Sequence, residues 1–236
     1  MRRTTLVAIA LTPLLMISPV SMMGRAAAKS AAYLPVIDPA QFQSTVDHPY
    51  FPLVPGTVYH YVEKDGRKAL DNEVTVTHDT KVIMGVTCVV VHDRMLMKGV
   101  VVEDTYDWYA QDKQGNVWYF GEDTREFHAK GKVSTEGSWV AGVKGGQPGI
   151  FMKAEIAPSQ PYRQEYGPGV AEDMGQIAAV GDSVSVPYGS FTGCLRTKEW
   201  SLLEAGSTKK WYARGVGFVR AEGPHELAVL VGVDKP

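Results

Sequence analysis

The residues whose types suggest chemistry are concentrated in one segment, EDTYDWYAQDKQGNVWYFGEDT (103–124), where acidic and aromatic side chains surround a single turn. In a strand, successive side chains point to opposite faces. Asp104, Tyr106 and Trp108 would then share one face, and the odd-numbered residues 103–109 the other. Both faces mix acids with rings, whereas a half-buried strand usually separates polar from apolar residues. The segment is therefore a candidate site.

One interpretation is a pocket, because aromatic surfaces flanked by carboxylates suit sugars and cationic or amphipathic ligands. It predicts a ligand-binding set of Trp108, Tyr119, Trp139, Tyr166, Asp107 and Glu122. The plainer interpretation is an ordinary hairpin, in which aromatic cross-strand pairs contribute roughly 0.2–1 kcal/mol each. Both interpretations stay open at this point.

A second acidic group, RQEYGPGVAEDM (163–174), raises the alternative of acid–base catalysis. Paired carboxylates divide acid and base roles in glycosidases and many lyases. The corresponding hydrolase or lyase hypothesis uses Glu122, Glu136, Glu165 and Asp173. The simpler explanation is that residues 171–173 begin a short helix, where acids complement the helix dipole. The sequence contains no nucleophile elbow, phosphate loop or HExxH motif.

Metal binding is the third hypothesis. Imidazoles from neighbouring strands can form zinc or copper sites, and H-x-x-M-x-M is a soft-ligand spacing for copper. The residues concerned are His60, His78, His92, Met95 and Met97. The methionines are equally suited to filling a core. DKQGN (112–116) lacks the alternating acids of a calcium loop and predicts a turn. We therefore predict no cofactor, with copper or zinc as the alternative.

The elements that must position these residues are strands. From Thr57 onward, short β-branched and aromatic runs are separated by Gly, Asp and Asn, with helical periodicity at most over residues 170–180. Residues 57–236 are predicted to form a single all-β domain, a strongly curved antiparallel sheet or open barrel with at most one or two short helices. The glycine-rich segment 134–160 is predicted to be a long crossing loop or lid over the ligand.

The N-terminal part predicts export. Residues 1–28 have the basic start, short apolar stretch and small residues near Ala28 of a cleavable signal peptide. Residues 29–56 contain five prolines and are predicted to be a lead-in segment that packs on the domain. Without residues 1–28 the chain has 21 basic and 26 acidic residues, a net charge of −5. That charge disfavours nucleic acid and anionic membranes as partners. We expect a periplasmic or secreted protein of undetermined oligomeric state.

Cys88 and Cys194 are the only cysteines. In an oxidising compartment a lone pair of cysteines favours a disulfide. Both lie in strand-like runs, so two small buried side chains are the alternative.

The motifs TYDWYAQD, GNVWYFGEDT, STEGSW, QPGIFM and YRQEY…AEDM together resemble a family of exported bacterial proteins of unassigned function. The second half, VSVPYGSFTGCLRTKEW followed by KKWYARGVGFVR, is similar to periplasmic half-barrels of the lipoprotein-carrier type. The resemblance implies a fold and a compartment. With the aromatic density, it leads to the first functional hypothesis, a carrier or binding protein for a small amphipathic or apolar ligand.

Overall fold

The computed structural model describes residues 33–66, 68–224 and 226–236, so the predicted signal peptide lies outside the described residues. The first half of the chain forms strands β1 Phe42–Gln43, β2 Val46–His48, β3 Phe51–Leu53, β4 Val58–Asp65, β5 Lys68–Ile83, β6 Val86–Met97, β7 Val100–Asp112 and β8 Val117–Phe127. The second half forms β9 Val133–Ser134, β10 Trp139–Val140, β11 Gln147–Met152, β12 Tyr162–Arg163, β13 Glu165–Tyr166, β14 Asp173–Val186, β15 Gly189–Ser201, β16 Thr208–Ala213, β17 Gly217–Glu222 and β18 Glu226–Asp234. Two single-turn 3-10 helices occupy Pro39–Gln41 and Ala129–Gly131.

Sixteen of the strands form one strongly curved antiparallel sheet, in the order β12-β14-β15-β16-β17-β18-β4-β5-β6-β7-β8-β11-β13, with β1, β9 and β10 attached at its side. Strands β2 and β3 form a separate hairpin. The predicted all-β fold with a curved antiparallel sheet is thus confirmed. Among the described residues, no helix is long and apolar enough to span a bilayer.

The two edges of the sheet meet at one short segment, residues 162–166. Strand β12 pairs with β14 at one edge, and β13 pairs with β11 at the other, with only Gln164 between them. The close approach depends on glycine: a Cβ on Gly149 would lie 2.2 Å from the Gln164 carbonyl oxygen, and one on Gly175 would lie 2.7 Å from the Gln164 side-chain carbon. The segment therefore nearly closes the sheet into a barrel.

Along several of the long strands, the inward-facing residues change from apolar to polar. On β4 they are Tyr59, Tyr61 and then Glu63; on β16, in the reverse direction, Thr208 and Lys210 precede Tyr212. Because the strands are paired in register, the apolar residues collect at one end of the barrel and the polar residues at the other. We call these the aromatic end and the acidic end.

The aromatic end is filled from outside the sheet by the β2–β3 hairpin. The Phe51 ring lies 5.3 Å from Tyr109, 4.6 Å from Phe151 and 6.5 Å from Tyr212, centroid to centroid. All four side chains are at most 2 % exposed. Residues 33–56 therefore contain short strands, which the interpretation as a lead-in segment did not include, and one of these strands carries a core side chain.

Two local predictions are wrong. Residues 170–180 are not helical, because β14 begins at Asp173 and pairs with β15 throughout. The segment 134–160 is not a lid, because β9, β10 and β11 all pair with β8. Gly121 permits this contact, since a Cβ there would lie 2.2 Å from the Trp139 carbonyl oxygen.

Cys88 and Cys194 are buried free thiols. They lie on β6 and β15, which five strands separate in the sheet order, so the favoured disulfide is not formed. Both are fully covered by the core, as the alternative interpretation expected.

Candidate functional site: the acidic end of the barrel

The β7–β8 hairpin supplies the centre of the site. Its turn is stabilised by Asp112, whose carboxylate accepts hydrogen bonds from the backbone of Gln114 and Asn116 and, at 2.8 Å, from the Trp118 indole. In the strands, residues 103, 105, 107 and 109 face inward and are buried, while 104 and 106 face outward and are more exposed. The face assignment from the sequence is thus confirmed, and the inner face carries the acids into the barrel.

Ten carboxyl groups gather at the acidic end, and nine of them belong to residues at most 8 % exposed. They are Glu63, Asp93, Glu103, Asp107, Glu122, Glu126, Glu165, Glu199, Glu226 and the partly exposed Asp173. Lys210, the one buried lysine in the part of the chain that the structure describes, forms an ion pair with Glu199 at 2.8 Å (Nζ to Oε2). Carboxyl groups therefore greatly outnumber cations in this interior.

Neutral donors hold several of these acids. The Tyr119 hydroxyl donates to Asp107 at 2.6 Å, and the Thr197 hydroxyl donates to Glu199 at 2.7 Å. Hydroxyl and amide donors cost less to bury than cations do, and they orient a carboxyl group without neutralising it.

Glu122 differs from these acids. Both of its carboxyl oxygens are completely buried, and neither has a hydrogen-bond partner among the described residues. Burial, followed by repulsion from Glu165 and Asp107, raises the pKa of Glu122 well above its usual range. A buried polar group without a partner bears its full desolvation cost, about 1–3 kcal/mol. Glu122 therefore calls for a functional explanation.

Glu165 is the carboxyl group that repels Glu122 most strongly. Burial raises its pKa well above the ordinary value, and repulsion from Asp173 and Asp107 adds to the effect. Lys210 and the Trp139 side chain act in the opposite direction and lower the pKa. Because two neighbouring carboxyls cannot both ionise cheaply, a proton on at least one member of the pair is favoured.

The outer part of the acidic end shows the same effect. Burial raises the pKa of Asp93 to about 7 and, with repulsion from Glu136, that of Glu126 to about 7. The pKa values of Glu63 and Glu103 are raised well above the normal value, chiefly by burial. The Asn72 amide donates to Glu63 and Asp93 and partly offsets that cost. Burial thus favours the protonated form of several carboxyl groups in this interior.

The structure brings together four of the six predicted ligand-binding residues: Asp107, Tyr119, Glu122 and Trp139. Asp107 is directly opposite Glu122 in the β7–β8 pair, and Trp139 is opposite Glu122 in the β8–β10 pair. The Tyr119 and Trp139 rings make an edge contact at 5.7 Å. These residues combine rings with carboxyls at one point of the barrel interior.

The other two lie elsewhere. Trp108 is on the outer face, where the Lys81 ammonium lies 3.3 Å from its ring centroid. Tyr166 contacts Tyr33 and the Arg163 guanidinium rather than the barrel interior. Trp108 is only 3 % exposed although it lies on the outer face of the sheet. A strand pattern in the sequence cannot distinguish such burial from burial inside the barrel.

Of the four proposed catalytic carboxyls, Glu122, Glu165 and Asp173 interact electrostatically in the barrel. Glu136 is exposed on the segment between β9 and β10, where it raises the pKa of Glu126. The first three form a carboxyl cluster, but the fourth does not belong to it.

The proposed metal ligands are not brought together. His60 pairs with Asp234, and His92 pairs with Asp104 at 2.5 Å while stacking on Tyr106. Met95 is buried, whereas Met97 is 40 % exposed. In the part of the chain that the structure describes, no group of three or more His, Cys, Asp or Glu side chains is arranged to hold a metal ion, and His78 joins no such group.

Sequence reasoning missed most of the acidic end. Glu63, Asp93, Glu103, Glu199 and Lys210 each occupy an inward position in the alternation of their strands. Glu63 and Asp93 follow apolar inward residues, whereas the other three lie next to an inward threonine. The sequence does contain a signal for these positions. In TKKWYA, Lys210 lies two residues before the buried Tyr212 and therefore faces the same side of the strand.

Comparison with known proteins identifies no relative in sequence: neither a family model nor a curated protein matches this chain. Two crystal structures are similar in fold. One, from Bacteroides fragilis NCTC 9343, is described as an exported protein with a YmcC-like fold; it has 16 % identity and a TM-score of 0.48, over 79 % of this chain and 99 % of that one. The other, described as a lipoprotein from Parabacteroides distasonis ATCC 8503, has 14 % identity and a TM-score of 0.43, over 81 % and 100 %.

Proposed function

We propose that this protein is an exported, extracytoplasmic binding protein for a small amphipathic ligand with a cationic amine group, which the acidic end of the barrel accepts. Export rests on the signal-peptide pattern of residues 1–28. The chemistry of the interior supports the amine group of the ligand, because the carboxyl groups at the acidic end far outnumber its cationic side chain, Lys210.

The observation that carries the proposal is Glu122. Its two oxygens accept no hydrogen bond from the described residues, although the side chain is completely buried. An ammonium group has three donors and no acceptor, so it complements such a carboxyl. The Tyr119 and Trp139 rings beside it suit the apolar body and the cation–π contact of an amphipathic amine.

Protonation gives the proposal a specific signature. Burial and repulsion from neighbouring carboxyls raise the pKa values of Glu122 and Glu165, which favours their protonated forms in the unliganded protein. A bound cation favours the ionised form of a nearby carboxyl. Binding of the amine should therefore release protons to solvent.

The test is calorimetric titration of the full mature chain with 2-phenylethylamine and decylamine at pH 6.5, in two buffers with different ionisation enthalpies. We expect binding with proton release, and an affinity at least about tenfold lower in Glu122→Gln, which keeps the shape but cannot ionise. The neutral analogue 2-phenylethanol should bind more weakly and release no protons.

The matched control is Glu136→Gln, which removes an exposed carboxyl outside the cluster and should leave affinity unchanged. Absence of amine binding, or equal affinity in Glu122→Gln, would contradict the proposal.

A second candidate function, an extracytoplasmic hydrolase or lyase, is favoured by one observation. Glu122 and Glu165 are neighbouring carboxyls whose pKa values are both raised, as an acid–base pair requires. The same samples distinguish the two functions by mass spectrometry. Amines recovered unchanged after long incubation support binding, whereas conversion that both Glu122→Gln and Glu165→Gln abolish supports catalysis.

A further inference from the structure

A second concave surface lies beside the aromatic end of the barrel, away from the acidic end. It is a groove of about 420 Å³ between the β2–β3 hairpin, the start of β4, the β16–β17 turn and the C-terminal residues. Its walls are mainly apolar, with contributions from Pro52, Val54, Tyr59, Val216, Val233 and Pro236. Small-molecule sites commonly have this size and character, with a few polar groups that fix the orientation of the ligand.

The groove is held in shape by the hairpin, which is fixed to the barrel at several points. Phe51 is buried among the core rings, and the Gly215 amide donates to the Pro49 carbonyl at 2.8 Å. The Gln111 side chain donates to the Asp47 carboxylate at 2.7 Å. A ligand would therefore meet a preformed groove, which reduces the entropic cost of binding.

His48 lies in the groove but is not its charged group. The Tyr50 amide donates to Nδ1 at 3.2 Å, so the ring proton is on Nε2, which donates to the Lys153 carbonyl at 3.1 Å. Burial also lowers the pKa of His48. In the neutral form of His48, both ring nitrogens have hydrogen-bond partners. His48 therefore contributes to the shape of the groove but adds no charge to it.

Arg214 supplies a positive charge. Its guanidinium lies 4.9 Å from the Tyr50 ring centroid, and it forms no ion pair with any described residue. Lys235 provides a second cation at the same groove, also without an ion pair among the described residues. The only lining carboxylate side chain, that of Asp47, is already bound by Gln111.

We propose that this groove binds a small amphipathic anion, with a carboxylate head on Arg214 and an apolar chain along Pro52, Tyr59 and Val216. A guanidinium binds a carboxylate through two parallel hydrogen bonds, which gives orientation as well as affinity. This site is independent of the amine site, because it has the opposite charge and lies at the other end of the barrel.

The experiment is calorimetric titration of the full mature chain with dodecanoate, below its micellar concentration, at pH 8. We expect a 1:1 complex whose affinity falls at least about tenfold in Arg214→Gln. Dodecanol has the same chain without the charge, and its weaker binding should be the same in both proteins. Because Arg214 lies outside the core, the folding of the variant is checked by its urea midpoint, which should be unchanged.

The matched control is Arg125→Gln, which removes an exposed arginine on the outer face of β8. It should bind dodecanoate like the parent protein, and so should Glu122→Gln. Lack of dodecanoate binding, or an unchanged affinity in Arg214→Gln, would overturn this proposal. None of these results would affect the amine site, whose own test depends on Glu122.

Discussion

The two ends of the barrel are buried to the same degree but filled with opposite chemistry. Phe51 and Tyr109 at the aromatic end are 2 % and 0 % exposed, and Glu122 and Glu165 at the acidic end are 0 % and 1 % exposed. Burying aromatic rings stabilises the fold through apolar area and ring contacts. Burying carboxyls opposes folding unless they stay protonated or find partners.

This difference shows that one set of strands serves two purposes. The aromatic end provides a packed core, and the same long strands continue into the acidic end, where they place polar groups on a rigid frame. Binding groups on strands are held more accurately than groups on loops. Sites of this kind are commonly kept at the expense of stability, which predicts that the two ends respond in opposite ways to pH and to substitution.

The largest expected effect is that of pH on stability. Burial raises the pKa of Asp93 from 3.8 to about 7. Between these values the folded protein holds a proton that the unfolded chain loses, so the free energy of unfolding falls as pH rises from about 4 to about 7. For Asp93 alone this amounts to about 4 kcal/mol. Glu126 and the more deeply buried carboxyls shift in the same direction.

Urea unfolding of the mature chain at a series of pH values between 4.5 and 8 should therefore show the greatest stability at the acidic limit. The variant Asp93→Asn provides the control, since it should flatten the curve between pH 4.5 and 7. Stability that rises with pH over this range would mean that the acidic end is ionised and paired instead of protonated.

The next effect concerns the aromatic end. Phe51→Ala should lower the free energy of unfolding by about 3–5 kcal/mol, because it removes a buried ring and leaves a cavity. Phe51 also attaches the β2–β3 hairpin, through its contacts with Tyr109, Phe151 and Tyr212. Equilibrium urea unfolding measures the change.

Phe127→Ala is the matched control, because Phe127 is 42 % exposed on β8 and its removal should change stability by no more than about 0.5 kcal/mol. A similar effect of both variants would show that the hairpin does not complete the core. The slope of stability with pH should be the same in Phe51→Ala as in the parent protein, because the acids lie at the other end.

The fold could be predicted from the sequence because strand signals are local. The alternation of β-branched and aromatic residues predicted the strands, and the turn residues around Gly115 predicted the β7–β8 hairpin. Closure at residues 162–166 could not be predicted, since pairing of two-residue strands with both edges of a sheet depends on the curvature of the whole sheet. For the same reason the segment 134–160 appeared to be a lid, although its short strands pair with β8.

The site was predicted in part. Asp107, Tyr119 and Glu122 were selected because acids and rings alternate in one visible hairpin. Glu63 and Lys210 were missed because neither belongs to the hairpin in which acids and rings are concentrated, and their meeting depends on the order of strands in the sheet. Trp108 was wrongly grouped with them. The alternation of side chains along a strand shows which residues share a face, but it does not show which face points into the barrel.

The smallest expected effect is also the one that separates function from stability at the acidic end. Glu122→Met replaces a buried carboxyl that has no hydrogen-bond partner among the described residues with an apolar side chain of similar size. Because it removes a desolvation cost without breaking a bond, it should raise the free energy of unfolding by about 1–3 kcal/mol at pH 8. Glu136→Met, at an exposed position, should have little effect.

The stabilised Glu122→Met protein should at the same time lose amine binding, because the ammonium group would face a thioether. If Glu122→Met instead destabilises the protein, Glu122 is a structural member of the carboxyl cluster, and the contrast between the two ends would be one of packing rather than of function.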